Sequence, residues 1–370
     1  MKIKHVEPIA VSLPMVKPVK MSLEEVSRAN NALVRIETDG GVVGWGEAAS
    51  APTMTGETVA SMVAAVRYLA PFLEGLPADD IAAVMGRADR YLYGNRSAKS
   101  IIEMALHDAL GRATGKPVYE LLGGKRRDRI PALRMIGGGS TGTDVDEAVR
   151  RKAEGYVAYK IKVAVAEPLV DAERTRKVCD VLGGNVLICA DANQGWSVAQ
   201  AITYVQAVAD TTLEFFEQPV AGDDIEGMAR VAKASRIKIG FDEGLHGLED
   251  LRRHHDAGAA HGCSLKTIKL GGMKPVYDAA LLCEQLGMKV NLACKIAESG
   301  IAAAAMLHLA AAVPSLDWGV SISNQYLADD VLKEPIPFAA GHFEVPAGPG
   351  LGIEVDEAKV RRYALAVCRT

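Results

Sequence analysis

Between residues 130 and 322 this 370-residue sequence alternates eight times between a short apolar run and a helix-like stretch. The runs are IPALRMIG (130–137), VAYKIKV (157–163), NVLICAD (185–191), LEFFEQP (213–219), IKIGFDE (237–243), CSLKTIKL (263–270), KVNLACK (289–295) and LDWGVSI (316–322). Strands buried on both faces read as continuous apolar runs, and parallel strands need a long, usually helical, crossover. Eight such units in about 200 residues point to an α/β chain whose parallel sheet closes into a barrel with helices outside. The eighth run departs from the pattern. It leads into LADDVLKEPIPFAAGHFEVPAGPGLGIEVD, whose prolines and glycines suit an excursion better than a last barrel helix.

The residues before the barrel have a different character. NALVRIETDGGVVGWGEA (31–48) reads as a hairpin about Asp39-Gly40-Gly41. From Glu57 to about Gly115 the pattern is helical, and KPVYELLGGKRRDRIPAL reads as a hinge before the first barrel strand. With 24% charged residues and a net charge of −4, the chain lacks the polybasic surface that nucleic acid binding needs. Its six cysteines show neither a CxxC pair nor zinc spacing, so reduced thiols and a cytoplasmic location are expected. Glu7 and Pro8 stand where a signal peptide needs an apolar core. The longest apolar run, IAAAAMLHLAAAV (301–313), is too short to span a bilayer and holds His308, so it reads as a buried helix and no membrane partner is expected.

Four runs end in residues that chemistry uses. Asp191, Glu217, Asp242 and Lys266 follow one another at intervals of 26, 25 and 24 residues, about one strand–helix unit each. Equal phase puts the three carboxylates at one height on adjacent strands, at the barrel mouth where active sites lie. A single Asp there is more often a helix cap than a ligand. Three in phase, flanked by lysines, argue otherwise, because converging carboxylates do not stay ionised without a cation. Donors that are all oxygen indicate Mg²⁺, with positions left for water and substrate, or Mn²⁺ in its place.

The stretch AYKIKVA (158–164) carries two lysines that project from the same face of a strand, about 7 Å apart. Surface lysines that snorkel are the ordinary alternative, and a central strand does not suit them. A neighbouring ammonium, a nearby cation and burial all lower a lysine's pKa. On this reading Lys160 depresses Lys162 and makes it a base.

These residues carry a resemblance. YKIKV, DANQGW, EFFEQPV, GFDEG and LKTIKLGG occur in order, and GKPVYELLGGKRRDRIPA precedes them. Together they resemble the enolase superfamily in its muconate-lactonizing-enzyme subgroup, within the mandelate racemase/muconate lactonizing enzyme family, over essentially the whole chain. The resemblance implies a modified (β/α)7β TIM barrel with an α+β capping domain. Residues 1–125 would form the cap, 126–335 the catalytic barrel, and 336–370 a segment returning to the cap. It further implies that Asp191, Glu217 and Asp242 bind Mg²⁺. Lys162 and Lys266 would be acid/base catalysts on opposite faces of a small-molecule carboxylate, with Lys160 holding the carboxylate. Asn193 and Glu243 would support the metal ligands. The implied chemistry is removal of a proton α to a carboxylate through an enediolate. A homo-oligomer is expected.

Members differ mainly at the last two strands and in the cap loops. Muconate lactonizing enzymes carry a Glu at the end of the eighth strand and dipeptide epimerases an Asp-x-Asp. Here the position is Ser321-Ile322-Ser323, which with NQYLADDV and AESGIAAA is closer to succinylbenzoate synthases and acylamino-acid racemases. The expected outcome is racemisation or epimerisation of an amino-acid derivative. Dehydration or cycloisomerisation is the alternative, and a barrel that only binds is a third. Lys295 ends the seventh strand and should face the mouth. Either it meets an anionic or hydrogen-bond-accepting distal group of the substrate, or it pairs with Glu298. Met15–Ser27 and Ala49–Thr58 are expected to close over the barrel, with Met54 and Thr55 touching substrate and Glu298 and Ser321 lining the substrate site. GGGSTGT (137–143) lacks the lysine of a phosphate loop. RRHHDAGAAHG reads as a solvated helix face carrying His254, His255 and His261.

Overall fold

The computed structural model describes residues 1–20, 25–137 and 140–366. Residues 21–24 of the first expected cap loop, two glycines of GGGSTGT and Cys368 lie outside the described residues. Strands β1 (Ile3–Lys20), β2 (Glu25–Thr38) and β3 (Val43–Ala49) form an antiparallel sheet in that order. The turn between β2 and β3 is the one read at Asp39-Gly40-Gly41, and Gly41 takes φ 78, where a side chain is disfavoured. Helices α1 (Pro52–Thr55), α2 (Val59–Leu73), α3 (Ile81–Tyr91), α4 (Arg96–Thr114) and α5 (Val118–Leu121) follow. The glycines of GWG let α4 lie directly on β3. A Cβ at Gly44 would stand 2.1 Å from the Ala105 carbonyl oxygen, and one at Gly46 1.9 Å from that of Ile101. Thr58 and Ser61 start α2 with a reciprocal capping box.

After β4 (Arg129–Pro131), strand and helix alternate: β5 (Leu133–Ile136), α6 (Thr141–Ala153), β6 (Ala158–Lys162), α7 (Pro168–Leu182), β7 (Leu187–Asp191), α8 (Val198–Ala207), β8 (Phe215–Glu217) and α9 (Ile225–Ala234). They continue through β9 (Lys238–Phe241), α10 (Leu248–Asp256), β10 (Gly262–Leu265), α11 (Thr267–Leu270), α12 (Met273–Leu286), β11 (Lys289–Ala293), α13 (Gly300–Ala312) and β12 (Val320–Ser321). Strands β5 to β12 pair in sequence order, all parallel, and a parallel bridge from Ala132 to Val320 closes the ring. The chain therefore has the modified (β/α)7β barrel and a separate antiparallel cap sheet. After β12 comes one 3-10 turn, Asn324–Tyr326, in place of an eighth helix. Strands β13 (Phe338–Ala339) and β14 (His342–Glu344) extend β4, and α14 (Glu357–Tyr363) lies against β1.

Two local readings are corrected. CSLKTIKL is strand only to Leu265. Lys266 ends it, and the last four residues coil into α11, which turns Lys269 inward. His254 is not on a solvated face: it is buried and stacked on Phe241, with ring centroids 3.9 Å apart. The amphipathic α10 has its inner stripe there, and a polar label hid it. Helix α13 is buried along its whole length, and no helix among the described residues is long and apolar enough to cross a membrane.

The barrel floor is plugged by Trp318, fully buried and stacked 4.0 Å from Phe215. Gly240 and Gly262 make room for it, since Cβ atoms there would stand 2.9 and 2.5 Å from its ring. The polar residues are thereby kept to the upper interior.

Candidate active site

All five residues of β6 are buried, so Lys160 and Lys162 point into the barrel and not to solvent. Register then sets the site. Lys162 lies beside Asp191, Asp191 beside Glu217 and Glu217 beside Gly240, which leaves Asp242 one step above on the next strand. Asp191, Glu217 and Asp242 are 1–2% exposed. Each is turned to an ammonium group. Lys160 donates to Glu217, Lys162 donates to Asp191 at 2.5 Å, and Lys266 donates to Asp242.

Lys269 adds a fourth cation that sequence reasoning overlooked. It is fully buried and donates to the Asp242 carbonyl, to Asp242 Oδ1 at 2.5 Å and to the Ser264 carbonyl at 3.0 Å. It belongs to LKTIKLGG, and only the switch from strand to helix after Leu265 reveals which way it points.

Neighbouring carboxylates govern the charge of Lys160 and Lys266. Burial alone would lower Lys160, but Glu217 and Asp191 outweigh it and hold Lys160 above the usual lysine range. Lys266 is raised in the same way, against burial, by Asp242 and Glu243. The strand tolerates two lysines because each faces a carboxylate, Lys160 at Glu217 and Lys162 at Asp191. Burial also works against Asp242, yet Lys266 and Lys269 hold it well below the ordinary carboxylate range. Glu217 goes the other way: burial, with Asp191 and Asp242 as like charges, raises it despite Lys160. Glu243 is pushed up to about 7 by burial and by Asp242 and Asp191.

As placed, the carboxylates share their oxygens with lysines. Among the described residues no three His, Cys, Asp or Glu side chains close on one point. The donor set nevertheless fits a divalent cation. Three buried carboxylates sit on consecutive strands, Glu217 is still short of positive charge, and Glu243 Oε2 is buried without a hydrogen-bond partner. Asn193 links the two sides: Lys162 donates to its Oδ1 at 2.7 Å, and its Nδ2 donates to Glu243 Oε1 at 3.1 Å.

Above these groups lies a cavity lined by Lys160, Lys162, Lys266, Asp191, Asn193, Glu243, Lys295, Ser321 and Met54. The Met54 sulfur stands 3.8 Å from Lys266 Nζ. Two residues expected at this surface are elsewhere. Thr55 turns toward α4, where its hydroxyl receives that of Ser97, and its neighbour Thr53 lines the cavity. The short α1 rotates each successive side chain by about 100°, so Thr53 and Thr55, two positions apart, face nearly opposite ways. Glu298 is 1% exposed and does not line the cavity; its oxygens accept the backbone N–H groups of Lys295 (2.9 Å) and Ala49 (3.4 Å). Ser323 of the Ser321-Ile322-Ser323 stretch also lines it, as do Leu133, Met135 and Tyr326, which were not anticipated. Tyr326 lies on the 3-10 turn after β12, with the Arg134 guanidinium 4.8 Å from its ring centre.

A second buried acid, Glu47 of β3, receives the N–H groups of Ser299 and Ala302 at the start of α13. Burial pushes Glu47 up to about 7, and burial with Glu47 as neighbour pushes Glu298 up to about 8. Both folded values lie above the unfolded carboxyl value. Between about pH 4.5 and those values the native state therefore binds more protons than the unfolded chain, and stability falls as pH rises through that window. Melting temperature is expected to decline from pH 5 to pH 8, with a shallower slope in Glu298→Gln. Parallel slopes for the two proteins in thermal melts across that range would contradict this.

Comparison with known proteins places these features in a family. Residues 5–123 match the mandelate racemase/muconate lactonizing enzyme N-terminal domain, and residues 144–359 match the enolase C-terminal domain-like family. The chain is 31% identical over 368 residues to muconate cycloisomerase 1 of Rhodococcus opacus, covering 98% of each. Among solved structures it is similar to N-succinyl Arg/Lys racemase from Bacillus cereus, with TM-score 0.94, 27% identity and coverage of 99% of this chain and 98% of that one. It is also similar to a dipeptide epimerase from Cytophaga hutchinsonii complexed with Mg and a dipeptide, with TM-score 0.92, 28% identity and 98% of both chains covered.

Proposed function

Since the chain belongs to the mandelate racemase/muconate lactonizing enzyme family of the enolase superfamily, and is an isomerase or lyase of it, we propose that it abstracts the α-proton of a small carboxylate and racemises or epimerises an amino-acid derivative. The observation that carries this reading is the placement of Lys162 and Lys266. They end the second and sixth of eight barrel strands, across the ring from each other, and both line one cavity. A substrate between them presents one face of its α-carbon to each.

In this reading Asp191, Glu217 and Asp242 hold a divalent cation, Mg²⁺. Bound there, it supplies positive charge to the substrate carboxylate as that group gains a second negative charge. Lys160 contributes a further cation beside the same carboxylate. Lys162 or Lys266 takes the α-proton in its neutral form, and the opposite lysine returns a proton to the other face. Asn193, bonded to both Lys162 and Glu243, keeps Lys162 Nζ directed at the cavity. Lys269 holds Asp242 from behind.

A cycloisomerase reading has support in the relatedness to muconate cycloisomerase 1. Against it stands Ser321, a hydroxyl in place of an acid at the end of β12. One screen separates the readings. The Mg²⁺-loaded protein is incubated in D2O with N-acyl amino acids, dipeptides, hydroxyprolines, proline betaines and muconates. α-Deuteration with loss of optical activity is expected for at least one amino-acid derivative. Lactone or alkene formation without such exchange would sink racemisation in favour of ring closure or elimination.

Lys295 is read as the contact for the far end of the substrate. Lys295→Ala is expected to raise KM for substrates with an anionic distal group by about 10- to 100-fold relative to neutral ones, the usual worth of a charge-assisted hydrogen bond. Equal changes for both kinds would remove Lys295 from substrate recognition.

A further inference from the structure

The turn that presents Lys295 to the cavity is strained, and the cap holds it. Strand β11 ends at Ala293, and the Cys294 N–H donates to the Ser321 carbonyl at 2.9 Å. Residues 295–298 then fold back, with the Glu298 N–H donating to the Lys295 carbonyl at 3.2 Å. To make this turn Ala297 takes φ 77, a region that residues other than glycine rarely adopt. Such a conformation persists only where its surroundings over-determine it.

The Glu298 carboxylate receives the Lys295 N–H at one oxygen and the Ala49 N–H of β3 at the other, so one side chain joins the turn to the cap. Asn31 of β2 donates from Nδ2 to the Ala297 carbonyl at 2.8 Å and to Glu47 Oε1 at 2.6 Å. Glu47 in turn takes the Ser299 N–H and hydroxyl at 2.8 and 2.7 Å and the Ala302 N–H at 3.0 Å. Asn31, Glu47, Glu298 and Ser299 are at most 1% exposed. Buried acids are costly unless fully bonded, and here their bonds converge on the four residues that place Lys295 and on the start of α13. After β3 ends at Ala49 the chain passes through Ala51 into α1, whose Thr53 and Met54 line the same cavity as Lys295. One stretch of cap thus carries both the cover of the site and the tie to its distal cation.

We propose that Glu298 is a positioning residue for Lys295, tied to the cap at Ala49 within a turn that Asn31 and Glu47 hold at Ala297 and Ser299, so that the cap sets the selection of substrates whose far end accepts hydrogen bonds, as a carboxylate or carbonyl does. This rests on the reading that Lys295 meets that end of the substrate. It differs from a purely structural tie in one consequence. Loosening the turn blurs the choice between ligands with and without a distal acceptor, while a structural tie weakens all ligands alike.

Succinate and butyrate are suitable probes, being similar in length with and without a distal carboxylate. Their binding to the Mg²⁺-loaded full chain is measured by calorimetry, together with Mg²⁺ affinity and amide hydrogen exchange over residues 295–302. The native protein is expected to prefer succinate by about tenfold or more. Lys295→Met should erase the preference. Glu298→Gln and Asn31→Ala should each cut it by about fivefold and speed exchange in the turn, with Mg²⁺ affinity unchanged and Glu298→Asp recovering part of the preference. The Asn31 variant guards against a Glu298 variant that fails to fold.

Loss of preference in Lys295→Met with a native ratio in both Glu298→Gln and Asn31→Ala overturns the proposal and leaves the reading of Lys295 standing. Equal weakening of both acids in those variants also overturns it. A native ratio in Lys295→Met overturns the reading of Lys295, and the proposal with it. If neither acid binds, unchanged exchange over residues 295–302 in both variants overturns the positioning role, and faster exchange there supports it.

Discussion

Lys162→Ala is expected to stop racemisation in both directions by roughly 100- to 10,000-fold, the usual contribution of a positioned acid or base, and yet to retain α-proton exchange for one enantiomer. Lys266→Ala should retain exchange only for the other. The asymmetry follows from geometry. The two lysines end strands on opposite sides of the barrel, so each reaches only one face of a substrate held at the level of the carboxylates. Inversion needs both, because a single base would have to wait for the substrate to turn over. Exchange needs only the lysine on the side where the proton lies. If the outcome is elimination or ring closure, one lysine starts the reaction and the other matters less or protonates the leaving group. Proton NMR in D2O with both enantiomers and both variants decides. Exchange surviving for the same enantiomer in both variants would remove the two-base mechanism.

Chelation should abolish turnover and Mg²⁺ should restore it, with Asp191→Asn, Glu217→Gln and Asp242→Asn each weakening metal binding by about 10-fold or more. The estimate comes from removing one charge-assisted partner, worth roughly 1.5–3 kcal/mol. The variants also redistribute charge within the protein. Each carboxylate faces a buried lysine, so neutralising one leaves an ammonium group with a poorer partner. Asp242→Asn should be the most damaging to stability, because Asp242 accepts hydrogen bonds from both Lys266 and Lys269, whereas of the two lysines near Asp191 the second, Lys160, stands 3.8 Å away. Titration calorimetry with Mg²⁺, alongside thermal melts, separates the two effects. Full turnover in a chelated sample would dismiss the metal, and native melting of Asp242→Asn would dismiss the charge argument.

Much of this was legible in the sequence because barrel units repeat at a near-constant interval. Asp191, Glu217 and Asp242 recur about every 25 residues, and a strand-and-helix unit of that length brings each to the mouth end of its strand, with Asp242 one step above the other two. The lysines of AYKIKVA were legible for a related reason: alternation along a strand fixes which residues share a face. The residues that escaped notice sit where no period operates. Thr53 and Thr55 are two positions apart on a single helical turn, and one lines the cavity while the other faces α4. Lys269 was hidden because CSLKTIKL reads as one apolar run, although strand changes to helix at Lys266. The charged neighbours of His254 read as a surface, whereas Phe241 buries it.

By itself the sequence determined the order of elements, the closed parallel barrel and the residue types gathered at its mouth, because hydrophobic periodicity and unit length act locally along the chain. Tertiary structure alone decided which groups share charge and which segments brace the site. Lys160 is held protonated by Glu217, which is 57 positions away. Glu298, expected at the substrate, instead ties the turn of Lys295 to Ala49, 249 positions away. Charge pairing and burial depend on distance in space and on the exclusion of water, and sequence spacing records neither once the chain has crossed from cap to barrel.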